Sequence, residues 1–246
     1  MNIAPEIIAE QVMGYVVWAS ELIPTLKPPK KPYTVSIVPQ WPHFYTGLLQ
    51  AAWYLLLDGK KKKMLVISQQ SDDEKNSIVD TTIFWPIFWQ TWETPMSVLS
   101  DIADEIDAKL SDKTNKKLSE KLGFQLPFLR VITEIEELVH VGIGSQITKK
   151  NLTYFLTWIK KHISTYNIVL LTNIELPPWP KSKKTDDQKY IVKLLTTPDI
   201  KHMPLLTIFQ KITDFSKQKP EIVAYVNPGD FWVKWSMTTR YICAVG

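Results

Sequence analysis

Four histidines, one cysteine and a run of carboxylates are the side chains of this sequence suited to metal binding, nucleophilic attack or proton transfer. His43, His140, His162 and His202 stand far apart, without the H-x-H or H-x-x-x-H spacing that sets two imidazoles on one face of a strand or helix. His43, between Pro42 and Phe44, is the one expected at the mouth of a cleft. His140 sits in an apolar strand, where a packed, hydrogen-bonded ring is the simpler expectation, and His162 beside Lys161 is expected to face solvent. Cys243 lies in an apolar final segment and reads as an inert, buried thiol. A single cysteine excludes an internal disulfide and any C-x-x-C zinc site, and it fits a reducing compartment. Asp101, Asp104, Glu105 and Asp107 fall on a helix with only some pairs sharing a face, the pattern of a solvated surface. There is no G-x-S-x-G elbow, and Gly142-Ile143-Gly144 lacks the third glycine of a dinucleotide loop. Eight glycines in 246 residues disfavour glycine-rich phosphate loops in general. The residues by themselves assign no catalytic group, no metal ligand and no cofactor.

The charge balance narrows the partners. Twenty-nine basic and 25 acidic residues leave a net +4, spread along the chain and too mild to argue for nucleic acid. The lysine clusters (Lys60 to Lys63, Lys116-Lys117, Lys149-Lys150, Lys160-Lys161, Lys181 to Lys184) stand at element ends without interleaved glycines, as solvated surface does. Hydrophobic residues at 45% and charged residues at 22% are near the globular average, so a packed core is expected rather than disorder. The apolar stretch Val12 to Trp18 is too short to span a bilayer, follows Glu6 and Glu10, and has no basic segment before it. A soluble, cytoplasmic protein without membrane or nucleic-acid contacts is the expectation.

The elements that must position any site follow from local pattern. Pro5 suits the first turn of a helix in which Ile8, Val12, Tyr15 and Leu22 recur near helical spacing. The proline- and lysine-rich stretch Lys27 to Pro32 is an extended connection, and residues 1–32 together form an N-terminal helix and its lead into the domain. Tyr33 to Val38 reads as a strand, Gly47 to Leu57 as a helix ended by Asp58-Gly59, and Met64 to Ile67 as a buried strand. The pairing recurs in helix Leu152 to Ile163 with strand Ile168 to Leu171, and in helix Leu205 to Phe215 with strand Glu221 to Val226. Thr238 to Val245 is placed to close the sheet. Helices alternating with short apolar strands predict a single α/β domain over residues 1–246, its mostly parallel or mixed sheet covered by helices on both faces.

The segment Val38-Pro39-Gln40-Trp41-Pro42-His43-Phe44-Tyr45-Thr46-Gly47 leaves a strand and opens a helix. It resembles the P-H-A-G-Y-x-Y-S-G signature of the Memo-like proteins, among them those called AmmeMemoRadiSam system protein B, with Pro39, Tyr45 and Gly47 in register. Other segments follow in that family's order. Lys63 to Ser71 stands where the family has a strand ending in G-P-S-H, and Thr94-Pro95-Met96-Ser97, with Asp101 beyond, is similar to its T-P-L-G segment. Leu122 to Leu129 resembles H-S-x-E-V-Q-L-P-F-L-Q, with Gln125-Leu126-Pro127-Phe128-Leu129 intact. Val139-His140-Val141-Gly142 is similar to a strand closing in glycine, Ile168 to Asn173 stands where a strand leads into S-S-D-x-S-H, and Asn227-Pro228-Gly229-Asp230 keeps a Gly-Asp pair. The resemblance covers the chain from about Tyr33 to its end. It implies the α/β fold shared with class III extradiol dioxygenases, with strand ends converging on one cleft.

In that family histidines from three of these segments, joined by a cysteine, converge on a metal. Here Gln40, Gln70 (or Ser71) and Pro177 stand at those histidine positions, Glu120 stands at the histidine of the fourth segment, and the cysteine region reads Ile200-Lys201-His202-Met203-Pro204. Amides are weak ligands for a transition metal and a proline side chain offers none. The resemblance therefore implies a catalytically silent Memo-like domain with a binding or scaffold role. Its cleft would be lined by Gln40, His43, Tyr45, Gln70 and Asn173, suited to a small polar ligand or peptide. The alternative is an enzyme with a rebuilt acid/base site, His43 working with Glu120 or Glu175. Phe84, Trp85, Phe88, Trp89 and Trp92 form an aromatic run that reads either as core or as a surface for a protein partner or self-association.

Overall fold

The computed structural model describes residues 5–22, 33–38, 43–57, 59–70, 75–80, 84–87, 90–111, 122–123, 125–172, 193, 204–217, 221–226 and 241–245. Four parallel strands form the centre of one mixed sheet. They are β1 (Val35–Val38), β2 (Lys63–Gln69), β7 (Glu137–Ile143) and β8 (Tyr166–Leu171), in the spatial order β7-β2-β8-β1. Beyond β1 the sheet continues antiparallel through β10 (Tyr241–Val245) to β9 (Glu221–Val226). These six strands are the mostly parallel frame. Four short strands extend it past β7. They are β3 (Ile78–Asp80), β4 (Phe84–Ile87), β5 (Gln90–Glu93) and β6 (Lys109–Ser111), with β5 parallel and β3 antiparallel to β7.

The central strands are mostly apolar and buried at nearly every position because both sheet faces are covered, the condition under which parallel strands occur. Alternate residues divide between two cores. Val35 and Ile37, Leu65 and Ile67, Val139 and Val141, and Ile168 and Leu170 pack beneath α3 (Met96–Ile106), α5 (Lys149–His162) and α6 (Pro204–Ser216). Val38, Met64, Val66, Leu138, Val169 and Leu171 pack beneath α1 (Pro5–Leu22), α2 (His43–Leu56) and α4 (Leu126–Ile132). The result is the α/β arrangement expected, with helices on both faces.

Local chemistry sets the element ends. Thr148 caps α5 by accepting from the backbone N–H of Asn151 at 3.1 Å, and Lys160, Lys161 and His162 occupy the last turn, where the helix dipole favours positive charge. The aromatic run becomes the β4–β5 hairpin, with Trp85 in register with Trp92 and Pro86 in the outermost strand, where a missing N–H is tolerated. Of the two alternatives for this run, Trp92 takes the core one. It is 4% exposed and packs into the core with Val66 and Leu138. The side chains of Phe84, Trp85, Phe88 and Trp89 lie outside the described residues. The final segment also departs from expectation. β10 does not close the sheet but lies between β1 and β9.

Candidate functional site

Parallel strands end together, and in open α/β sheets ligands bind beyond those carboxyl ends. β1 ends at Val38 in register with Leu171 of β8, Leu171 pairs in turn with Ser68 of β2, and Ser68 pairs with Gly142 of β7. Val38, Gln70 and Thr172 therefore stand at one end of the sheet. Gln70 extends the ladder, its backbone N–H donating to the Ile143 carbonyl at 2.9 Å. Its side chain is 3% exposed, and among the described residues the carboxamide nitrogen Nε2 has no hydrogen-bond partner. A buried amide N–H left unbonded is destabilising by about 1–3 kcal/mol, so it calls for a reason. His43 opens α2 and Tyr45 falls in its first turn, with their side chains outside the described residues. Gln40, Asn173, Glu120, Glu175 and His202 lie outside them as well, so the expected cleft is described here only through Gln70 and the strand ends.

The pairing of Ser68 with His140 escaped the reading of single residues. The hydroxyl oxygen lies 3.1 Å from His140 Nε2, and the two residues are 0% and 1% exposed. His140 is thus the packed, hydrogen-bonded strand histidine expected of it, but its partner comes from 72 residues away in sequence. A hydroxyl on an imidazole nitrogen is also the contact that general-base activation of a serine needs. Only strand register brings it about, and the local signal is limited to a polar residue in each of two apolar runs.

Glycine supports the same end of the sheet. A Cβ on Gly144 would stand 2.4 Å from backbone atoms of Lys75 and Asn76, so only glycine lets residues 75–77 cross the end of β7. That crossing is held by the Gly144 N–H donating to Ser77 Oγ and the Gln146 N–H donating to the Lys75 carbonyl, both at 3.1 Å. Gly144 of Gly142-Ile143-Gly144 thus finds a structural use that is not a dinucleotide loop.

A second polar group sits at the opposite, amino end. Glu137, Lys63 and Tyr166 begin three neighbouring strands in register. Lys63 Nζ lies 2.7 Å from Glu137 Oε2, and the Tyr166 hydroxyl donates to Glu137 Oε1. Burial, then the hydrogen bond to Glu137 and its negative charge, push the Tyr166 phenol well above its ordinary pKa. His162 is half-buried rather than solvent-facing. Its ring stacks on Trp158 at 4.1 Å, and Nδ1 is 2.8 Å from the Trp158 carbonyl oxygen. A cavity of about 320 Å³ near this end is lined by Tyr54, Leu57, Lys61, Ile132, Thr133 and Asn167. A groove of about 450 Å³ runs between α3 and α5, with Asp101, Asp104 and Glu105 facing Tyr154, Lys161 and His162. Asp101, Asp104 and Asp107 are exposed, as a solvated face requires. Among the described residues no group of three or more His, Cys, Asp or Glu side chains is placed to hold a metal, and no helix is long and apolar enough to cross a membrane.

No family model and no curated protein matches the sequence. The fold does have a solved counterpart. A crystal structure of an uncharacterized protein from Escherichia coli K12 superposes with a TM-score of 0.52 over 86% of this chain and 98% of its own, at 9% identity. The two share an α/β fold. At that identity the likeness speaks for the arrangement of strands and helices alone.

Proposed function

We propose that this chain is a degenerate, cytoplasmic Memo-like domain that binds a small polar ligand or a peptide at the carboxyl end of its sheet and is silent in the family's metal chemistry. Gln70 carries the reading. Gln70 or Ser71 stands at a metal-histidine position of the resembling segment, and the buried Gln70 carboxamide has a donor nitrogen without a partner among the described residues, where an imidazole would offer a lone pair. An amide nitrogen has no basic lone pair for a metal, whereas its N–H groups suit a carbonyl or another acceptor on a ligand. The common end of β1, β2 and β8 supports placing the ligand there. A scaffold role would use Phe84, Trp85, Phe88 and Trp89 of the hairpin region toward a partner or a second copy, without the buried Trp92.

An enzyme with a rebuilt site is the second reading. The contact between Ser68 and His140 favours it, while the side chains of His43, Glu120 and Glu175 lie outside the described residues. Elemental analysis of purified protein, with a thermal-shift screen of divalent metals, tests the main reading. Trace, non-stoichiometric metal and no metal-dependent stabilisation are expected. Stoichiometric iron, zinc or copper would sink it.

A further inference from the structure

We draw no further inference here: the strongest candidate, the cavity of about 320 Å³ between the last turns of α2 and α4, carries none because the polar side chains on its wall are engaged within the fold, Tyr54 with Gln125, Lys61 with the Ile163 and Tyr166 carbonyls, Thr133 with the Leu129 carbonyl and Glu134 with Lys62, so that nothing there identifies a ligand.

Discussion

Replacing Gly47 by alanine and Gly14 by alanine should move stability in opposite directions, although both glycines lie inside helices. Neither has a positive φ, so each backbone already accepts a side chain. Alanine in a helix interior is favoured over glycine by about 1 kcal/mol. At Gly14 of α1 a new Cβ meets nothing within 4 Å, and Gly14→Ala should stabilise by about 0.5–1 kcal/mol. At Gly47 of α2 the Cβ would stand 2.5, 2.6 and 2.8 Å from three carbons of the Tyr15 ring. Carbon atoms in contact normally keep about 3.5–4.0 Å, so the ring must retreat by about 1 Å. The ring already packs against those of Phe128 and Trp18, 6.3 and 6.5 Å away centre to centre, so a retreat disturbs these contacts. Overpacking of this kind is destabilising by about 1–3 kcal/mol, which outweighs the helix-propensity gain and leaves a net loss of about 1 kcal/mol. Urea unfolding followed by circular dichroism measures both variants, with an unchanged slope confirming that the midpoint reports stability. In a Tyr15→Ala background the sign at Gly47 should reverse, giving a coupling of at least about 1 kcal/mol. A Gly47→Ala variant as stable as Gly14→Ala would refute the packing of α1 on α2 described here.

Gly144→Ala should be destabilising by about 2 kcal/mol or more, because the clashing atoms belong to the backbone of residues 75 and 76 and cannot rotate aside; a thermal midpoint within about 1 °C of wild type would contradict that crossing. Gln70→Leu should raise the stability of the ligand-free protein by about 1 kcal/mol, since an apolar side chain replaces an orphaned donor; a destabilised variant in urea would mean that the carboxamide is bonded after all. Tyr166 has a raised pKa in the folded state, so its contribution is complete below its unfolded value of 10.0 and falls as pH rises above it. Wild type should therefore lose stability between about pH 10 and 11 more steeply than Tyr166→Phe, and parallel pH curves would refute that account.

Much of the fold was legible because its causes are local. The apolar bursts Met64 to Ile67 and Ile168 to Leu171, the helical spacing of Leu152 to Ile163 and Leu205 to Phe215, and the stop at Asp58-Gly59 depend on residues a few positions apart. The alternation of those elements fixes the class, since strands apolar on both faces need helices on both faces. Sequence could also mark Gln70 as an amide where a metal ligand was expected. It could not show that the amide is buried without a partner among the described residues, because that depends on what packs around the end of β2. Tertiary structure alone decided that β10 enters between β1 and β9, that Ser68 meets His140, and that Lys63, Glu137 and Tyr166 form one cluster. It also gave Gly47 and Gly144 their reasons, one a tyrosine ring from another helix and the other a crossing stretch of backbone. The side-chain contacts join residues 29 to 74 positions apart and β10 meets β1 across more than 200, and strand order and register, which no local pattern encodes, determine which side chains share a face.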